Sequence, residues 1–155
     1  MEKAPKYMVC VDNREESRVA LRLACMKART RSGTVEMLHV VPPADFQTLG
    51  AVADRMREER QREGTHLLKT LAEDAFAAYG VIPNILLREG SAGDEIIAAA
   101  TEDHDVIMVV IGVPKDTGGR GKLSAWLAGQ LGTNLLIPLL MVPGNLTDEQ
   151  LQSLV

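Results

Sequence analysis

An α/β fold, with a parallel sheet covered by helices on both faces, is what this sequence predicts. Two observations carry the prediction. Five short apolar runs recur along the 155 residues, beginning with one that lacks polar alternation, as strands covered on both faces do. Segments with helical spacing separate them, giving the order β-α-β-α-β-α-β-α-β. At this length a single domain over residues 1–155 is expected, with no linker and no internal repeat.

The first strand is expected at Tyr7–Val11 and is followed by Asp12-Asn13. Glu15 to Thr30 then reads as a helix, with Val19, Leu23 and Ala24 at helical spacing and Gly33 where a stop is expected. Thr34–Val41 is the second strand, closed by Pro42-Pro43. Asp45 to Ala53 reads as a connection. From Asp54 a run of mixed charges marks a solvated helix start, which gains an apolar side at Leu67, Leu68, Leu71 and Ala75 and stops at Gly80.

Val81 to Arg88 is expected as the third strand, and Pro83 points to an edge position or a late start. Ser91 and Asp94 have the spacing of a capping box, so a helix should run through Glu95 to Thr101. Asp105–Ile111 is the most apolar strand and is expected to be central. A last helix should start near Ser124 and carry Trp126, Leu127, Leu131 and Leu135 on one side. Pro138–Val142 is the final strand, and Asn145–Val155 a polar-then-apolar tail.

Composition narrows the function classes. A net charge of −4 argues against sequence-independent nucleic-acid binding, which needs a basic surface. With 3% aromatic residues, stacking platforms for bases are not expected. No run reaches the roughly 18 apolar residues of a spanning helix, and the N-terminus has no apolar signal core, so a cytoplasmic protein without a membrane partner is expected. Cys10 and Cys25 read as buried, reduced thiols. His39, His66 and His104 lack metal-ligand spacing and read as structural. Neither a catalytic residue nor a metal site is assigned.

In a parallel sheet ligands sit beyond the carboxyl ends of the strands, where the strand order reverses. Val11-Asp12-Asn13, His39-Val40-Val41 and Gly112–Lys122 meet that description. Asp12 reads either as a ligand contact or as an Asx cap for the following helix. Gly118, Gly119 and Gly121 either let the backbone approach a phosphate or form a plain surface loop. Lys122 and Ser124 would then act as phosphate donor and helix cap, and Lys115, Arg120 and Lys122 could form a local basic site. A Walker loop is rejected: Asp116 stands five residues before Gly121, and Leu123 follows Lys122.

Several stretches together carry a resemblance. They are Val11-Asp12, Glu15-Glu16-Ser17, Leu38-His39-Val40-Val41, Glu89-Gly90-Ser91-Ala92-Gly93-Asp94-Glu95-Ile96-Ile97, Asp105–Gly112 and Pro138–Val142. In this order and at this spacing the chain resembles the universal stress protein family over nearly its whole length. The resemblance implies a three-layer α/β/α fold of the adenine nucleotide alpha hydrolase type, with a five-stranded parallel sheet of order 3-2-1-4-5. It also implies a homodimer joined through the edge strand Pro138–Val142. Many members bind ATP or AMP, with Mg²⁺ accompanying ATP. The family's contacts to the adenine end fall on Asp12, with Val11 before it, and on Val40 and Val41.

The family's phosphate loop reads G-x2-G-x9-G-[S/T]. Gly112 fits its first position, but Lys115 stands at the second glycine. Gly119 and Gly129 have nine residues between them, yet Gln130 follows. Gly118, Gly121 and Gly132-Thr133 have the right residue types with one residue too many between them. The loop is therefore altered, and Gly129 and Gly132 are expected inside the last helix. The reading is a cytoplasmic, dimeric stress-response binding or regulatory protein with an adenine nucleotide as ligand. Two alternatives stand beside it. One is a protein-binding dimer with a decayed nucleotide site. The other is a slow Mg²⁺-dependent ATP hydrolase, for which Asp12 or Asp116 would hold the metal.

Overall fold

The computed structural model describes residues 3–43, 50–114 and 128–155. Five parallel strands form one sheet: β1 (Lys6–Cys10), β2 (Thr34–Val41), β3 (Asn84–Glu89), β4 (Val106–Val113) and β5 (Leu139–Pro143). Their order is β3-β2-β1-β4-β5, so the expected 3-2-1-4-5 sheet is present. Helices α1 (Glu15–Thr30), α2 (Ala51–Tyr79) and α3 (Ala92–Glu102) connect the strands. Residues 128–134 are helical (α4), and a short α5 (Asp148–Gln152) ends the chain. No helix of the described residues is long and apolar enough to cross a membrane.

Side chains alternate across β1 and so feed two cores. Tyr7 and Val9 face α1 and α2, where they join Val19, Leu23, Val35, Met37, Leu68 and Leu71. Met8 faces the other side, with Leu38, Val109, Ile111, Ile96 and Leu131. Each core side chain here is essentially without solvent contact, which is the condition for the full transfer gain of about 25 cal/mol per Å² of apolar surface. β1 occupies the middle of the sheet; β4, the most apolar run, lies beside it, not at the centre.

Three further expectations shift. α2 begins at Ala51, not near Asp54, and its buried residues start at Gly64. Its exposed first turns offered no apolar periodicity to read. β3 starts at Asn84, after Pro83, because proline has no N–H for the ladder, and it is an edge strand. Ser91 is the N-cap of α3, but its side chain makes no capping hydrogen bond. The tail holds a helix that the sequence reading left out. Thr147 accepts from the Gln150 N–H at 3.2 Å and Gln150 Oε1 accepts from the Thr147 N–H at 2.9 Å, a reciprocal capping box that seats buried Leu151 on the α1 core.

Candidate functional site

Strand order reverses between β1 and β4. α1 carries the chain from β1 to one side, and α3 carries it back across from β3 to β4. The two exits diverge there and leave a cleft beyond the strand ends. That cleft has a volume of about 180 Å³. Its floor is Cys10, Leu38 and Ile111, which share one face of the sheet, and Ile96 of α3 covers it. Burial pushes the Cys10 thiol up to about 12, so the floor is uncharged.

Asp12 forms the polar wall. Its Oδ1 accepts from the Arg14 N–H at 2.9 Å and from the Ser17 hydroxyl at 2.8 Å, while its own N–H donates to Ser17 Oγ at 2.9 Å. Asp12 and Ser17 thus lock the turn into α1, which supplies the Asx-cap reading. The second oxygen, Oδ2, is 4.0 Å from Arg14 Nε in a half-exposed pair. Buried Glu16 lines the same wall.

Val11 is held by two backbone contacts. Its N–H donates to the Leu38 carbonyl at 2.8 Å, and its carbonyl accepts from His39 Nδ1 at 2.7 Å. A carbonyl can only accept, so His39 carries its proton on Nδ1 and keeps Nε2 as the other ring position.

Val11, Asp12, Val40 and Gly112 surround this cleft together. Val41 does not. Its side chain lines a larger cavity of about 670 Å³ between α1 and α2, and its carbonyl accepts from the Gly90 N–H at 2.9 Å. Gly118, Gly119, Gly121, Lys122 and Ser124 lie outside the described residues, as do Lys115, Asp116 and Arg120. Gly129 and Gly132 are helical, as expected. Sequence reading missed Ser17, Glu16, Cys10 and Ile96 as neighbours of Asp12. The two-residue strand period and the helix turn after Asp12 were the signals available for them.

Gly112 has a packing reason of its own. A Cβ there would collide with the Glu16 carbonyl and lie 3.0 Å from Glu16 Cβ. Gln130, which follows Gly129, lies in α4 and reaches α3. Its Nε2 donates to Asp94 at 3.3 Å, and its side chain fills the space over Gly93 at the start of α3. Among the described residues no group of three acidic, His or Cys side chains is placed to hold a metal.

A model of the universal stress protein family matches residues 5–143. The chain belongs to the universal stress protein family. Solved structures of that family share the fold at low identity. The UspA protein of Lactobacillus plantarum superposes with a TM-score of 0.76 at 12% identity, covering 92% of this chain and 99% of that one. The Archaeoglobus fulgidus protein, solved in complex with dAMP, gives 0.66 at 21% identity, covering 92% and 99%. An Arabidopsis thaliana member with AMP bound gives 0.63 at 17% identity, covering 94% of each chain. At these identities the likeness establishes the fold alone. A comparison with curated proteins finds no match.

Proposed function

We propose that this universal stress protein is a regulatory adenine-nucleotide binder, with the base seated in the cleft between β1 and β4. The observation that carries the reading is the juxtaposition of Val11, Asp12, Val40 and Gly112 around one pocket at the strand-order reversal. Relatives of the same fold have been solved with dAMP and with AMP.

Cleft chemistry orients the ligand. Asp12 and buried Glu16 put carboxylates on one wall, which repels phosphate and suits a donor. The exocyclic amine of adenine is such a donor, and Asp12 Oδ2 is the oxygen left for it by the Asx turn. Guanine presents an acceptor at the corresponding position. A volume of about 180 Å³ is less than the roughly 300 Å³ at which sites for drug-sized ligands begin, so the cleft takes the base and the phosphates extend outside it. The phosphate contacts are assigned, from the sequence resemblance alone, to Gly118, Gly119, Gly121, Lys122 and Ser124. Amides and one ammonium there would neutralise a phosphate, and Mg²⁺ would enter only with ATP.

A homodimer through β5 completes the proposal, because β5 is an edge strand with an unpaired rim. The test of the ligand is direct. Mass spectrometry of small molecules released by denaturing freshly purified protein should detect AMP or ATP at a stoichiometric level. Release of no adenine nucleotide, together with no thermal shift at millimolar AMP or ATP, would reject the reading.

A further inference from the structure

We propose that the cavity between α1 and α2 is a second ligand site, built for a small organic anion: a phosphate or carboxylate group on an apolar body. This cavity lies across β2 from the nucleotide cleft. At about 670 Å³ it falls within the range of small-molecule sites, whereas the cleft does not.

Its walls have two characters. Val41 and Leu67 give it an apolar side. Arg18 of α1 and Arg60 of α2 approach from opposite helices, with His39 and His66 between them. Among the described lining residues one carboxylate, Glu63, stands against these two guanidiniums, so the described lining is cationic in a protein of net charge −4. Local sign and global sign therefore disagree, which is how a protein concentrates an anion at one place.

Neighbouring charges on α2 behave differently. Arg57 pairs with Glu89 at 3.2 Å and is satisfied on the β3 side. Arg60 is half-buried and lines the cavity, and its Nη1 reaches the Pro43 carbonyl at 3.4 Å. Arg62 lines a separate groove on the outer side of α2. The charged run that reads as a solvated face in the sequence is thus split: Arg60 and Glu63 line the cavity, while Arg57 and Arg62 serve other faces.

Backbone design opens the space. Gly64 lies where α2 crosses β2, and a Cβ there would come within 2.8 Å of Leu87 Cδ1 and 3.1 Å of His39 Cδ2. A side chain would push α2 off the sheet just where the cavity begins. His39 is fixed from behind by its hydrogen bond to the Val11 carbonyl and gives the cavity a rigid wall. Planar guanidiniums on two sides suit the paired oxygens of a carboxylate or phosphate, and the apolar wall takes the body that carries it.

The probe is phenyl phosphate, titrated calorimetrically into the full chain. Saturable binding of one molecule per chain is expected. Arg18→Gln and Arg60→Gln should each weaken it about tenfold or more, and Arg62→Gln should leave it unchanged. Arg60 sits on a largely solvated stretch of helix, so Arg60→Gln keeps the test open should Arg18→Gln fold poorly. No saturable binding, or equal affinity in wild type, Arg60→Gln and Arg62→Gln, would overturn the proposal. AMP binding at the other cleft is a separate measurement and does not enter this result.

Discussion

Gly112 and Glu16 are in backbone contact: the end of β4 passes so close to the first turn of α1 that no β-carbon fits between them. The same Glu16 Cβ would lie 2.9 Å from a Cβ on Gly144, at the exit of β5. One helical turn is therefore clamped against two strand exits, and both Glu16 and Gly112 line the β1–β4 cleft. Gly112→Ala should cost about 1–3 kcal/mol in urea unfolding, the range for overpacking a filled site. Wild-type stability in that variant would show that the contact is absent.

Asp12 carries a second, separable burden. Its Oδ1 caps the turn through Arg14 and Ser17. Asp12→Ala removes that acceptor and should lose about 1 kcal/mol of stability. Asp12→Asn keeps an acceptor and should lose a few tenths at most. Equal losses in the two variants would assign the effect to charge, not to the cap.

Lys6 Nζ and Asp103 Oδ2 lie 2.6 Å apart, both mostly shielded, and tie β1 to the end of α3. The hydrogen bond from Lys6 holds the Asp103 carboxyl below its usual range, against an opposing push from burial. A carboxyl lowered in the folded state stabilises above its unfolded pKa, and that contribution fades as pH falls through the folded value. Asp103→Asn should therefore cost about 1 kcal/mol at pH 7, and the gap to wild type should close progressively below about pH 4. A gap constant between pH 7 and pH 3 would contradict the assignment.

Edge pairing by β5 is tested at Met141. Leu140 packs against the α1 core, so a charge there would damage the monomer as well. Met141 is 41% exposed on the edge strand. Met141→Lys should convert the proposed dimer to monomer in sedimentation velocity while unfolding within about 1 kcal/mol of wild type. A dimer that survives this substitution would remove β5 from the interface.

The sheet was legible because its signal is physical and local. Runs such as Tyr7–Val11 and Val109–Ile111 are buried on both faces, so they read as unbroken apolar stretches, and Pro83 marked the edge strand correctly. The strand order came from family resemblance, since spacing alone does not choose among parallel topologies. What stayed hidden depended on contacts distant in sequence. Gln130 over Gly93 pairs two helices that no local pattern connects. Val41 was grouped with Val40, yet the two-residue period of β2 sends it to the opposite face and into the other cavity. Thr147 and Gln150 had a readable capping box, but the tail that holds it was taken for irregular chain. Arg60 looked like its charged neighbours because burial, not sequence, distinguishes it.

The central claim concerns the base in the β1–β4 cleft. Calorimetric titration of AMP and GMP into the full chain, into Asp12→Asn and into Gly121→Val tests it most directly. The account expects AMP to bind one per chain and GMP at least about tenfold more weakly. Asp12→Asn should erase that preference by replacing an acceptor with a donor, and Gly121→Val should weaken AMP by blocking backbone approach to the phosphate. Binding of AMP and GMP with the same affinity in all three proteins would contradict it.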